Sequence, residues 1–136
     1  MELYNLENGV RVAGRVEAAS TFLRRFRGLM LTKELPQDCA LHIVPCRSVH
    51  TFFMRYPIDV LYLDEAGVVV GTDEALSPGQ VGSMVAGARS VVELPAGTIR
   101  ATETRVGHKM GFMNPETKKT NNQKENENDE QMDRVG

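Results

Sequence analysis

Apolar and polar positions alternate in short runs broken by turn residues, a spacing that suits strands better than helices. The runs from Leu3 to Leu6 and from Val10 to Val12 flank Glu7-Asn8-Gly9, and an Asn-Gly pair between β-prone runs predicts an opening β-hairpin. Ser20 and Thr21 precede Phe22-Leu23-Arg24-Arg25-Phe26-Arg27-Gly28, where a hydroxyl N-cap, apolar positions 22, 23 and 26 and a closing glycine outline a short amphipathic helix. Residues 32–35 add at most one further turn before Pro36.

From Cys39 to Val44 the chain reads as a buried strand that ends at Pro45. The run from Ile58 to Leu63 is apolar on both faces, with Ile58, Val60 and Tyr62 on one and Leu61 and Leu63 on the other, which marks an interior strand. Asp64-Glu65-Ala66-Gly67 turns the chain into a return strand, Val68 to Val70. Residues 73–88, with Ser77-Pro78-Gly79, read as a long loop. Ser90 to Leu94 is a further strand, Pro95-Ala96-Gly97 a turn, residues 98–103 a helix or extended segment, and Met110 to Phe112 closes the core. The fold expected is mostly β, a sandwich or barrel-like domain of the β or α+β class with one or two short helices.

Beyond Asn114 the chain is almost entirely Asn, Gln, Lys, Glu and Asp, too poor in apolar groups to offset its ordering entropy. The organisation expected is therefore one domain over residues 1–112 and a disordered polar tail over 113–136. A formal charge of −2 supplies no basic footprint for nucleic acid. No apolar stretch is long enough to span a membrane. The first residues lack a basic leader and the apolar core of a signal peptide, so a soluble, cytoplasmic monomer is expected. Cys39 and Cys46 would lie roughly 20 Å apart along an extended strand, beyond the reach of a disulfide, and are expected as free thiols.

The chemistry-bearing residues gather before the central strand. Cys46, His50 and Met54, at intervals of four, would share a helix face and suit a soft metal. The β-prone Val49, Thr51, Phe52 and Phe53 among them favour an extended chain instead, which spreads the three over roughly 26 Å; no metal and no cofactor is expected. Cys46 or Asp59 with His50 could serve a hydrolase or transferase, although no third, orienting group is identifiable. Asp59, inside an apolar run, must be hydrogen-bonded, paired or facing a polar cavity. It either ties down backbone amides or an arginine, or joins Arg47, His50, Thr51 and Arg55 in a pocket for a small polar or anionic ligand. Phe52, Phe53 and Tyr56 could alternatively form an exposed patch for a protein partner. Arg24, Arg25 and Arg27 read as a solvated face before they read as a phosphate grip.

Three segments carry a resemblance: Arg25-Phe26-Arg27-Gly28-Leu29-Met30, the block from Pro45 to Asp64, and Glu93-Leu94-Pro95-Ala96-Gly97. Together they resemble the domain of unknown function 192 family of bacteria and archaea, over about residues 10 to 111. The resemblance implies a β-sandwich or barrel-like fold with one or two short helices, and no known reaction. It favours a structural role for Arg25, with buried Glu93 as its expected partner. Gly107-His108 stands where the family commonly shows Gly-Asp. Many relatives carry Phe-Trp-Met in the middle block and lack the equivalents of Cys46 and His50. A binding or accessory module is the expectation, ahead of an enzyme.

Overall fold

Eight strands and a single-turn helix make up residues 1–18, 35–44 and 56–115, the residues described in this computed structural model. The opening hairpin pairs β1 (Glu2–Asn5) with β2 (Arg11–Ala13), and Gly9 takes the left-handed φ of 73° that its turn requires. After Gly14 the chain continues as β3 (Arg15–Ala18), a strand not anticipated above because it is only four residues long and its apolar positions are Val16 and the small Ala18. Gly14 is the bend between them: a Cβ there would collide with the Asp38 carboxylate, whose Oδ1 accepts the Gly14 N–H at 2.9 Å. Gly14→Ala is expected to cost about 1–3 kcal/mol through that forced displacement. The urea midpoint reads it out, and an unchanged midpoint would show that the loop carrying Asp38 yields freely.

The remaining strands are β4 (Cys39–Ile43), β5 (Ile58–Leu63), β6 (Val69–Leu76), β7 (Ser90–Pro95) and β8 (Met110–Met113). They form a three-stranded sheet in the order β2-β1-β8 and a five-stranded sheet in the order β3-β4-β7-β5-β6. Only β3 and β4 run parallel. Helix α1 (Thr98–Ala101) follows β7.

The period-2 pattern fills both faces of the larger sheet. Leu61 and Leu63 of β5, Val92 and Leu94 of β7 and Ala40 of β4 meet Leu3, Val12, Ala13 and Met110 of the smaller sheet, and this is the sandwich core. Ile58, Val60, Tyr62, Val91 and Leu41 project from the other face and pack with Leu35, Tyr56 and Ala88. Every residue of β5 and β7 is buried, and these two strands lie side by side in the interior of the five-stranded sheet, with β4 interior beside β7.

β6 extends through residue 76, so residues 73–76, expected in a loop, are strand. An edge strand is hydrogen-bonded on one side only, and Thr72, Asp73 and Glu74 can stay polar because its other side is solvated. The loop that follows is latched to it. Asp73 accepts hydrogen bonds from Tyr62 Oη (2.6 Å), Ser83 N–H (2.8 Å) and Ser83 Oγ (2.7 Å). Partial burial works against the charge, but those donors outweigh it and hold the carboxyl below its ordinary pKa. The helix expected at 22–28 and the tail from residue 116 onward lie outside the described residues, whereas Met113, expected as the first residue of the tail, is the last of β8.

Candidate functional site

Asp59 belongs to the sandwich-core side of β5 and is fully buried. Oδ2 accepts the N–H of Gly97 (3.1 Å) and of Ile99 (2.9 Å), and Oδ1 accepts the N–H of Ala75 (2.8 Å). The first two are donors at the start of α1, whose N-cap, Gly97, has no side chain to serve them. Ala75 has a φ of 49°, and the β5–β6 register shifts beside it. One carboxylate thus fixes an irregular edge strand and the entry of a helix. Its oxygens are directed at backbone amides, on the opposite side of the strand from the cavity described next.

That cavity has a volume of about 180 Å³ and lies where β7 ends and β5 begins, lined by Leu35, Gln37, Tyr56, Pro57, Pro95 and Ala96. It lies on the face of Tyr62 and Val91, away from the smaller sheet. Glu93, two residues before Pro95 in β7, shares this face by the alternation of the strand. It is buried (5% exposed) between its cross-strand neighbours Leu41 and Val60, and no cation or hydrogen-bond donor reaches it among the described residues. Burial alone pushes its pKa up to about 7. Arg25, its expected partner, lies outside the described residues, as do Arg47, His50, Thr51, Arg55, Cys46 and Met54. Tyr56, which directly follows Arg55 in sequence, is a wall of the cavity.

A second hollow, of about 440 Å³, opens at the other end of the sandwich, between the two sheets. His42 of β4 and Phe112 of β8 stack across it with ring centroids 4.4 Å apart and planes 24° from parallel. The His42 Nε2 is buried without a hydrogen-bond partner, a cost of about 1–3 kcal/mol that an apolar ring would not incur. Burial lowers its pKa, so the ring is neutral at physiological pH. In the sequence its one signal is a histidine flanked by the apolar strand positions Leu41 and Ile43. Among the described residues no group of three or more His, Cys, Asp or Glu is placed to hold a metal ion. Cys39 is a free thiol, and burial raises its pKa despite the opposing charge of Arg15. No helix among the described residues is long and apolar enough to cross a membrane.

This fold and these residues can be set against known proteins. The DUF192 family model, described as Uncharacterized ACR, matches residues 4–112. The chain belongs to the DUF192 family. Among its relatives, a UPF0127 protein of Thermococcus sibiricus is 35% identical over 118 residues, covering 81% of this chain and 73% of the relative. A UPF0127 protein of Pyrococcus abyssi is 31% identical, covering 82% of this chain and 97% of that one. A crystal structure of a protein of unknown function from Novosphingobium aromaticivorans superposes with a TM-score of 0.62 at 14% identity, covering 82% of each chain, and shares the fold.

The resemblance leads to the expectation of an acid at position 108, and the surroundings of His108 show which interaction the position makes. Its Nδ1 lies 2.9 Å from Nδ2 of the fully buried Asn5 and 3.3 Å from the Arg105 N–H. Asn5 Oδ1 accepts the Glu7 and Asn8 N–H groups, which orients the amide so that Nδ2 donates, and His108 Nδ1 must accept. A carboxylate would accept equally well. His108→Asp is therefore expected to leave thermal stability nearly unchanged, whereas His108→Leu should cost about 1–2 kcal/mol by stranding the Asn5 donor. Equal melting temperatures for the two variants would refute the acceptor role.

Proposed function

We propose that this DUF192 protein is a binding module for a small polar or anionic ligand, taken up at the cavity where β5 begins. The observation that carries the reading is the position of that cavity: Tyr56 and Pro57 line it, and they directly follow the segment bearing Arg47, His50, Thr51 and Arg55. Its volume of about 180 Å³ suits a ligand of few heavy atoms, since a water occupies roughly 30 Å³ of liquid. Two arginines and a histidine would supply charge-assisted donors to an oxyanion. Glu93 on the same face has its pKa pushed up to about 7 by burial, so it is mostly neutral below that pH and repels an anion less than an ordinary carboxylate would. Asp59 supports the site from behind as a brace instead of a contact. Binding is favoured over hydrolase or transferase chemistry because a general base must reach the substrate proton, and both Asp59 oxygens are engaged by the backbone.

The test is an amide-resolved NMR titration of the full chain with inorganic phosphate, sugars and nucleotides. Joint movement of the amides of Tyr56, Ala96 and Gly97 with those of residues 46–55 is expected. An Arg47→Ala/Arg55→Ala variant should weaken the effect about tenfold or more. Silence of these amides across the whole panel would overturn the reading.

A further inference from the structure

We propose that the hollow lined by the stacked His42 and Phe112 rings is a second, independent binding site, and that it takes an aromatic α-amino acid as the zwitterion. The hollow, at about 440 Å³, falls within the usual range of small-molecule sites. Its inner wall is apolar and partly aromatic, formed by the stacked His42 and Phe112 rings with Leu63 and Met110. A planar apolar body can extend such a stack.

The rim is charged in a mixed sense. Arg89 is exposed on the rim that Asp64 and Glu65 also line, and its backbone N–H donates to the Leu63 carbonyl at 2.8 Å, which fixes its main chain one residue from Asp64. Nevertheless Arg89 forms no ion pair among the described residues. Asp64 is held in place because its Oδ1 accepts the Ala66 and Val68 N–H groups at 2.9 Å, so the turn is a fixed edge of the site.

With Arg89, Glu65 and the second oxygen of Asp64 on one rim, a simple anion is opposed by the two carboxylates and a simple cation by Arg89. A ligand with a carboxylate and an ammonium on one carbon satisfies both. Arg89 takes the carboxylate, Glu65 and the remaining oxygen of Asp64 take the ammonium, and the ring lies against Phe112. This assignment does not depend on the cavity near Tyr56, which is at the opposite end of β5 and β7 and on the other face of the sheet.

The experiment titrates the full chain with free L-phenylalanine while following the side-chain signals of His42 and Phe112 and the amides of Leu63 to Gly67. Phenylpropionate, which lacks the ammonium, and phenethylamine, which lacks the carboxylate, run in parallel. Phenylalanine is expected to shift these signals saturably, with each analogue about tenfold weaker or more. Arg89→Ala, a change at an exposed side chain, should bring phenylalanine down to the level of phenethylamine, and Glu65→Gln should narrow the gap between phenylalanine and phenylpropionate. No response to phenylalanine, equal binding of phenylpropionate, or unchanged binding by R89A would each overturn the proposal.

Discussion

Replacing Asp59 by alanine is expected to lower the free energy of unfolding by about 3–5 kcal/mol, the scale of breaking a buried charged hydrogen-bond set. Three N–H groups lose their acceptor together, and that of Ile99 is buried, where water cannot take its place. Asparagine should cost somewhat less, about 2–3 kcal/mol, because one amide oxygen can serve Gly97 and Ile99 while its NH₂ confronts the Ala75 N–H. Urea denaturation measures the totals, and amide exchange locates them: residues 75, 97 and 99 should lose protection beyond the global change. A loss under about 1 kcal/mol for D59A would mean that the neighbouring backbone finds other acceptors.

The second large effect has the opposite sign. Glu93 has an ordinary pKa of 4.5 that burial lifts to about 7, so the folded protein holds this proton more tightly than the unfolded chain does. Its contribution is therefore most favourable below about pH 4.5 and is lost as pH rises through about 7. A shift of this size corresponds to roughly 3 kcal/mol. Glu93→Gln keeps the shape without the charge. The variant should lack the decline in stability between these limits and at pH 8 should exceed the parent by about 2–3 kcal/mol. Denaturation midpoints across that pH range decide it, and parallel profiles for parent and variant would show that Glu93 is not the group responsible. Asp73, with its pKa lowered by Tyr62 and Ser83, acts in the reverse direction and loses its contribution only at acid pH.

The fully buried strands β5 and β7 were legible in the sequence because burial on both faces writes a continuous apolar run, and Ile58–Leu63 is found with the expected bounds. The hairpin at Asn8-Gly9 was legible because the turn chemistry is local. β3 was not, since it pairs in parallel with a strand that starts at Cys39, and its alternation is only four residues long with the small Ala18 as one of its two apolar positions. Asp59 and Glu93 both announced themselves as carboxylates in apolar runs. Their surroundings did not, because the donors to Asp59 come from residues 16, 38 and 40 positions further along the chain. Glu93 sits between Leu41 and Val60, which no periodicity connects to it. The hollow at His42 exists only once β4, β8 and the turn after β5 converge, and sequence spacing carries no trace of that convergence.

The smaller sheet imposes an order on biosynthesis. Its middle strand, β1, pairs along one edge with the adjacent β2, and along the other with β8, where Glu2 faces Met113. A nascent chain emerging from the ribosome therefore carries a half-satisfied N-terminal hairpin until nearly the whole domain has been translated. Leu3 has no complete shelter in that interval, because Met110, with which it packs, is added so late. Closure across so long a stretch of sequence is slow compared with hairpin formation. Shortening the chain before β8 should thus yield an exposed hairpin that recruits chaperones.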